Sequence, residues 1–371
     1  VRILLDYRPA LRERTGVGEY AHQMASALVR AAVNDRITLF SSSWKDRLTA
    51  DAVPGADAVD RKVPVSILNF AWHRLGWPHV ELMGAHADVV WSMHPLLMPA
   101  RNAARVVTIH DVYFLDHPEA TVREIRRDYA ALSADHARRA DGVIVVSEYT
   151  GEQVARRLGV APGKISVCPN GAPSWDPRPA PTPGGPILHV GTVEPRKNVA
   201  AVVNAYFELV RNVTDAPPLV FAGRIEQHAV LTFNGNARVH DDRVKYLGYV
   251  SESERRRLYR EASMLVVASD DEGFGLPALE SMTLGIPVVA VARGAIPEVV
   301  GDAAVLVDEK DPARLPSAFA AAMQRVLVDA ELRFELRRRG LERSRLFNWD
   351  RSAAAAREAL SAAVARRQGR A

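Results

Sequence analysis

Ala262-Ser-Met-Leu-Val-Val-Ala-Ser269, followed two residues later by Glu272-Gly-Phe-Gly-Leu-Pro-Ala-Leu-Glu280, reads as strand, loop and helix. The first run has the length and apolar content of a strand buried in a parallel sheet. Pro277 suits a first helical turn, where a missing N–H costs nothing, and the helix should end near Gly285. Gly273 and Gly275, either side of Phe274, let the chain turn sharply and let a ligand approach the backbone. Free N–H groups around Gly275 and Leu276 then face an anion, with the helix dipole behind them. Glu272 lies outside the helix and Glu280 one turn inside it. Two acceptor-only carboxylates would repel a diphosphate, so they suit hydroxyls on either side of it. The pattern describes a site for a sugar attached to a nucleoside diphosphate, one carboxylate on the sugar and one on the ribose. The competing reading is a capped helix with two surface glutamates.

A second junction favours the site. Pro186-Ile-Leu-His-Val-Gly191 reads as a buried strand, then Thr192-Val-Glu-Pro-Arg-Lys-Asn198 leads into a helical repeat through Ala200, Val203, Phe207 and Val210. Arg196 and Lys197 thus fall where phosphate-binding cations belong. Lysine is rare here, six among 48 basic residues, which singles out Lys197. Strands alternating with amphipathic segments continue in both directions, which predicts α/β architecture with parallel sheets. In the first half, strands are expected at Arg2–Asp6, Ile37–Ser41, Ala87–Ser92, Val106–Ile109, Gly142–Ser147 and Ile165–Cys168, with helices over Gly18–Ala32, Glu119–Ala140 and Tyr149–Leu158. The rhythm restarts with strands at Ile187–Val190, Pro218–Ala222, Val244–Leu247, Met264–Ala268, Pro287–Ala290 and Ala304–Val307. Between the halves, Ala172–Gly185 holds five prolines and two glycines and reads as a linker.

At 371 residues the chain suits two domains, each able to bury a core. Net charge is +4 with both signs interspersed, so no stripe for nucleic acid is present. No apolar run reaches the roughly 18 residues needed to cross a bilayer. Cys168 is the single cysteine, which rules out an internal disulfide and cysteine-built metal sites and favours the cytoplasm. Phe70-Ala-Trp-His-Arg-Leu-Gly-Trp-Pro78 is aromatic and basic; a buried helix with two core tryptophans is favoured over an acceptor or membrane-facing patch.

Gly16-Val-Gly-Glu-Tyr-Ala21 matches a dinucleotide fingerprint, the mark of an oxidoreductase. It begins ten positions after Asp6, too late to turn straight out of the first strand, and no carboxylate closes the next strand. Arg224, after Phe221-Ala-Gly223, ends a strand and suits a phosphate, a base or a surface salt bridge. Asp-x-Asp, the usual sign of metal-dependent sugar transfer, does not occur, so no metal is expected; Asp241-Asp242 and Asp270-Asp271 read as turn residues.

Gly191-Thr-Val-Glu-Pro-Arg-Lys-Asn198 and the Glu272-x7-Glu280 spacing resemble family 4 of the retaining glycosyltransferases, which have the GT-B fold. Arg14-Thr-Gly-Val-Gly-Glu-Tyr20, Thr108-Ile-His-Asp-Val112, Val146-Ser-Glu-Tyr-Thr150 and Pro169-Asn-Gly-Ala172 extend the likeness through nearly the whole chain. Within the family, His110-Asp-Val-Tyr-Phe-Leu-Asp-His-Pro118 is most similar to mannosyltransferases of bacterial surface polysaccharides. The resemblance implies two Rossmann-like domains whose sheets face an interdomain cleft. Residues 1–172 form the acceptor side, 173–185 the linker and 186–349 the nucleotide-sugar domain, with 350–371 packed back on the first domain. It implies transfer of mannose from GDP-mannose to a glycan or lipid-linked glycan, retained configuration and no cofactor beyond the donor substrate; the expected location is the cytoplasm, with peripheral contact at the inner face of the membrane left open. His110 would contact the transferred sugar and Asp111 orient it or the acceptor. Gly16 would offer its N–H to the donor phosphate, and Tyr249-Val250-Ser251 would read the nucleobase through the backbone. His110, Arg196, Lys197 and Glu272 are thus the expected catalytic set. Gly16, Arg196, Lys197, Arg224, Tyr249, Val250, Glu272, Gly273, Phe274, Gly275, Leu276 and Glu280 are the expected donor contacts. Lys197→Ala should lower turnover at least tenfold with little loss of stability. A protein of the same fold that binds or epimerises sugar nucleotides without transfer is the alternative.

Overall fold

The computed structural model describes every residue except 12, 13, 15, 33, 50, 118–127, 226–239, 370 and 371. The chain divides into two compact units, Val1–Gly171 with Asn348–Ala371, and Ala172–Phe347.

In the first unit β1 (Arg2–Asp6), β2 (Arg36–Ser42), β3 (Asp57–Arg61), β4 (Val89–Ser92), β5 (Ala104–Ile109), β6 (Gly142–Val145) and β7 (Ile165–Val167) build one sheet ordered β3-β2-β1-β4-β5-β6-β7. Every pairing is parallel. The second unit repeats the plan with β8 (Ile187–Val190), β9 (Leu219–Ala222), β10 (Val244–Tyr246), β11 (Met264–Val267), β12 (Val288–Val291) and β13 (Val305–Val307), ordered β10-β9-β8-β11-β12-β13 and again all parallel. Central strands such as β4, β6, β11 and β12 are buried along their whole length, which is why they read as unbroken apolar runs. In each unit the first strand has its successor on one side and a later strand on the other. The order therefore reverses between β1 and β4 and between β8 and β11, the crevices where open α/β sheets hold ligands.

Three expectations need correction or restriction. Strand β3 is not foreseen, because Asp57-Ala-Val-Asp-Arg61 has no apolar run; it pairs with β2 alone at the sheet edge, where polar side chains reach water. The aromatic segment does not bury two tryptophans. Trp72 is buried and its indole N–H donates to the Pro78 carbonyl at 2.8 Å, whereas Trp77 is 58% exposed. A wide helical turn over Ala71–Leu75 ends in left-handed Gly76 (φ 63°), so the helical repeat stops before Trp77. Of the helix expected over Glu119–Ala140, Tyr129–Arg139 is observed, and residues 119–127 lie outside the described part.

Helix Trp349–Gln368 belongs to the first unit. It packs on helix Val17–Ala31 and on β4–β7 through Ala353, Ala356, Leu360 and Ala363, spaced as one helical face. Gly171 passes so close to Trp349 that no Cβ fits between them. Ala172–Gly185 has neither helix nor strand, yet it is fastened to the second unit: the buried Arg178 guanidinium donates to the Ala262 carbonyl at 2.5 Å.

Candidate active site

At the carboxyl end of β11 the chain enters the loop that carries Glu272 and then helix Leu276–Leu284. Gly275 caps this helix with φ 96°, and a Cβ there would stand 2.5 Å from Ile296 Cδ1; only glycine makes this turn without strain. No side chain caps the helix; Pro277 has no N–H and the Ala278 N–H donates to the Gly275 carbonyl at 3.0 Å, so the positive end of the helix dipole is presented with no side chain on it. Gly294 presses on the same loop from the β12 side. A Cβ there would lie 2.5 Å from the Glu272 nitrogen, and the Ala295 N–H donates to the Glu272 carbonyl at 2.8 Å.

On the neighbouring strand, β8 ends at Val190 and a turn over Pro195–Lys197 carries the two cations, closed by Asn198 in the left-handed region (φ 48°). Asp270 N–H donates to the Arg196 carbonyl at 2.7 Å, joining the two loops. The Glu272 carboxylate is buried there. Its Oε1 pairs with the Lys197 ammonium and accepts the Ser269 hydroxyl at 2.7 Å, while its Oε2 lies 3.8 Å from Arg196 Nη1. Arg196 also binds Glu194 through Nε at 2.6 Å. Burial opposes ionisation of Glu272, but the Lys197 and Arg196 charges and the Ser269 bond overcome it and hold the carboxyl below its usual range. Lys197 is itself only 8% exposed, so the cluster is a preorganised charge arrangement rather than a solvated ion pair.

Glu280 occupies a separate network. It is buried in helix Leu276–Leu284, 3.4 Å from Arg255 Nη1 and beside the Tyr259 hydroxyl. Burial, and then the Glu280 charge, push the Tyr259 phenol well above its usual range, so the phenol stays a hydrogen-bond donor. Neither glutamate is a surface residue. Further along the sheet, the Arg224 guanidinium stacks 5.0 Å from the centre of the Tyr249 ring, which is half open to solvent, and Val250 follows half-buried. Phe274 differs from its neighbours: its ring is buried edge-on against Phe347 at 5.6 Å, leaving its backbone to line the loop with Gly273.

The first unit holds the other expected residues. Gly16 starts helix Val17–Ala31 at φ 51°, exposed and with open space around it. His110 follows β5; its Nε2 donates to the Met93 carbonyl at 3.1 Å and its ring meets Tyr20 edge-on at 4.7 Å. That bond makes Nε2 the protonated nitrogen, and burial keeps the imidazole below its ordinary pKa. Asp111 Oδ1 accepts the Tyr113 N–H at 3.1 Å.

The structure thus gathers Arg196, Lys197 and Glu272 into one cluster, with Glu280 and the Arg224–Tyr249 stack elsewhere on the same unit. Sequence reading misses three partners. Ser269 carries a faint signal, a hydroxyl at a strand end three residues before Glu272. Arg255 and Tyr259 carry none, since only the packing of helix Glu252–Glu261 on helix Leu276–Leu284 brings them to Glu280. Among the described residues no group of three or more His, Cys, Asp or Glu is arranged to hold a metal ion.

Known proteins agree with this architecture. The pattern for Glycosyltransferase Family 4 matches residues 14–174, and that for glycosyl transferases group 1 matches residues 178–343. The O-antigen chain mannosyltransferase B of Escherichia coli is 27% identical over 380 aligned positions, covering 94% of this chain and 97% of that protein. Sucrose-phosphate synthase from Thermosynechococcus elongatus superposes with a TM-score of 0.76 at 20% identity, covering 96% of this chain and 97% of that one. WaaG, a glycosyltransferase involved in lipopolysaccharide biosynthesis, superposes with a TM-score of 0.70 at 15% identity, over 96% and 98%. The two parallel-sheet units, the matched patterns and the full-length relative together place this chain in glycosyltransferase family 4, with the GT-B fold.

Proposed function

We propose that the enzyme transfers mannose from GDP-mannose to a glycan or lipid-linked glycan, with retained configuration and without a metal ion. The observation that carries this reading is the buried Arg196–Lys197–Glu272 cluster at the β8/β11 reversal. Two cations beside the N-terminus of helix Leu276–Leu284 can neutralise a departing diphosphate, the task a metal ion performs elsewhere. Preorganised donors of this kind are worth roughly 3–4 kcal/mol each in the transition state. Glu272, among the cations, faces the hydroxyls of the transferred sugar, and Glu280 the ribose. The bond from C1 to the phosphate oxygen breaks while the acceptor oxygen bonds C1 on the same face. The acceptor proton passes to the leaving phosphate oxygen. Mannose is favoured by the full-length relative's name. Incubation with GDP-mannose, UDP-glucose and a lipid-linked acceptor tests the reading; turnover should be fastest with GDP-mannose and survive EDTA. Hydrolysis or epimerisation without transfer would favour the alternative.

A lipid-linked acceptor fits a further feature. Val65, Ile67, Phe70, Leu75, Trp77 and Leu82 are all exposed large apolar residues within eighteen positions. Lys62 is exposed on the same stretch, as is Arg74, which pairs with Asp128, while its one acid, Glu81, is occupied by the N–H groups of Arg101 and Asn102. Aromatic and aliphatic side chains with flanking cations suit the interface of an anionic bilayer. Among the described residues no helix is long and apolar enough to cross a membrane, so the contact proposed is peripheral. Vesicles of anionic lipid should bind the protein at low salt, and a Phe70→Ser/Trp77→Ser variant should lose most of that binding. No binding by the unaltered protein would reject the contact.

A further inference from the structure

The pairing of β8 with β11 runs from Ile187↔Met264 to Leu188↔Leu265 and stops. Beyond that point β8 still pairs with β9 through Val190↔Ala222, and β11 with β12 through Val267↔Ala290. The sheet therefore splits at one seam, between the ends of β8 and β11, where the strand order reverses. His189 stands at the split. It is 2% exposed, and its Nδ1 lies 3.2 Å from the Val266 carbonyl on the far strand. A carbonyl only accepts, so Nδ1 carries the proton and Nε2 is a bare acceptor. Among the described residues that Nε2 has no partner, although a buried unpaired polar atom is costly. Phe221 packs against the ring at 5.4 Å. The charges of Lys197 and Glu272 both reach it, and the Lys197 stem runs over Gly191, two residues on from His189.

We propose that His189 is a positioning residue of the donor site: it ties the parted ends of β8 and β11 through Nδ1 and offers Nε2 as the acceptor that holds the Lys197 ammonium toward the donor's diphosphate. Without donor, the Lys197 ammonium donates a hydrogen bond to the Glu272 carboxylate. When Glu272 turns to sugar hydroxyls, the ammonium loses that acceptor, and Nε2 takes its place. Burial, reinforced by the Lys197 charge, pushes the imidazole down to about 4, so Nε2 stays unprotonated at neutral pH.

The inference rests on Lys197 being the diphosphate cation, and a double-mutant cycle separates the two claims. GDP and UDP are titrated calorimetrically into the unaltered enzyme, His189→Phe, Lys197→Ala and the double variant, each checked for folding by thermal melting. The expected result is about a tenfold affinity loss in His189→Phe that disappears in the Lys197→Ala background, with kcat in the single variant falling more than donor KM rises. Unchanged affinity in His189→Phe, or a full additional loss in the double variant, overturns the positioning role. Unchanged affinity in Lys197→Ala alone overturns the reading of Lys197 instead. If His189→Phe does not fold, the smaller and polar His189→Asn enters the same cycle with the same criteria.

Discussion

Lys197 shows how burial changes what a substitution does. From sequence, Lys197→Ala should cost activity and little stability. The structure revises the second half, because the substitution leaves the buried Glu272 carboxylate with Arg196 at 3.8 Å as its nearest cation. Breaking a buried pair costs about 3–5 kcal/mol, since the stranded charge is left unsolvated. We expect Lys197→Ala to lose both turnover, at least tenfold, and several degrees of melting temperature. Lys197→Met/Glu272→Gln, which removes both charges, should recover most of the stability and none of the activity; recovery of turnover would exclude the pair from catalysis. Glu272 also sets an acid limit. Its folded pKa lies below the unfolded value, so its contribution is complete above about 4.5 and fades as pH falls through the lower folded value. Melting curves between pH 3 and 6 should therefore slope less in Glu272→Gln than in the unaltered enzyme. If the Arg224–Tyr249 stack holds the nucleobase, Arg224→Ala should weaken GDP binding about tenfold while leaving inorganic pyrophosphate binding unchanged; an equal loss for pyrophosphate would assign Arg224 to the phosphates instead.

At the scale of elements, the loop between β11 and helix Leu276–Leu284 is held by what its neighbours lack. Gly294 sits at φ 61° with the Glu272 backbone where a Cβ would go. Gly294→Ala should shift Glu272 and lower kcat more than tenfold with the second unit still folded, as a donor-titration and near-ultraviolet spectrum would show. Full activity would mean that this contact does not position the carboxylate. The same scale explains what sequence shows of the site. Glu272 and Glu280 are legible because a strand, a glycine turn and a helix fix both within nine residues. Lys197 is legible because it follows a strand and precedes a helix. Arg255 and Tyr259 come from a helix whose pattern says only that one face is buried, and His189 looks like any polar residue in an apolar strand.

Across the whole molecule, helix Trp349–Gln368 returns to the first unit after the chain has completed the second. Trp349 is buried, 6.0 Å from the Tyr20 ring, which in turn touches His110. Trp349→Ala should cost about 3–5 kcal/mol, the usual loss for a buried tryptophan. Because two units need not unfold together, it should lower the transition assigned to the first unit; an unchanged melting profile would show that the last helix adds nothing to that unit.

By itself the sequence determined the alternation of strands and helices, the parallel sheets and the position of the two loops that carry Lys197 and Glu272. These depend on local periodicity and on glycine and proline at fixed offsets, which are written in adjacent residues. Tertiary structure alone decided that Glu272 and Glu280 belong to separate networks, that Trp77 is exposed while Trp72 is not, that β3 exists, and that β8 and β11 part around His189. Each of those depends on which distant residues meet in a dry interior. There a missing partner costs more than any local preference can repay.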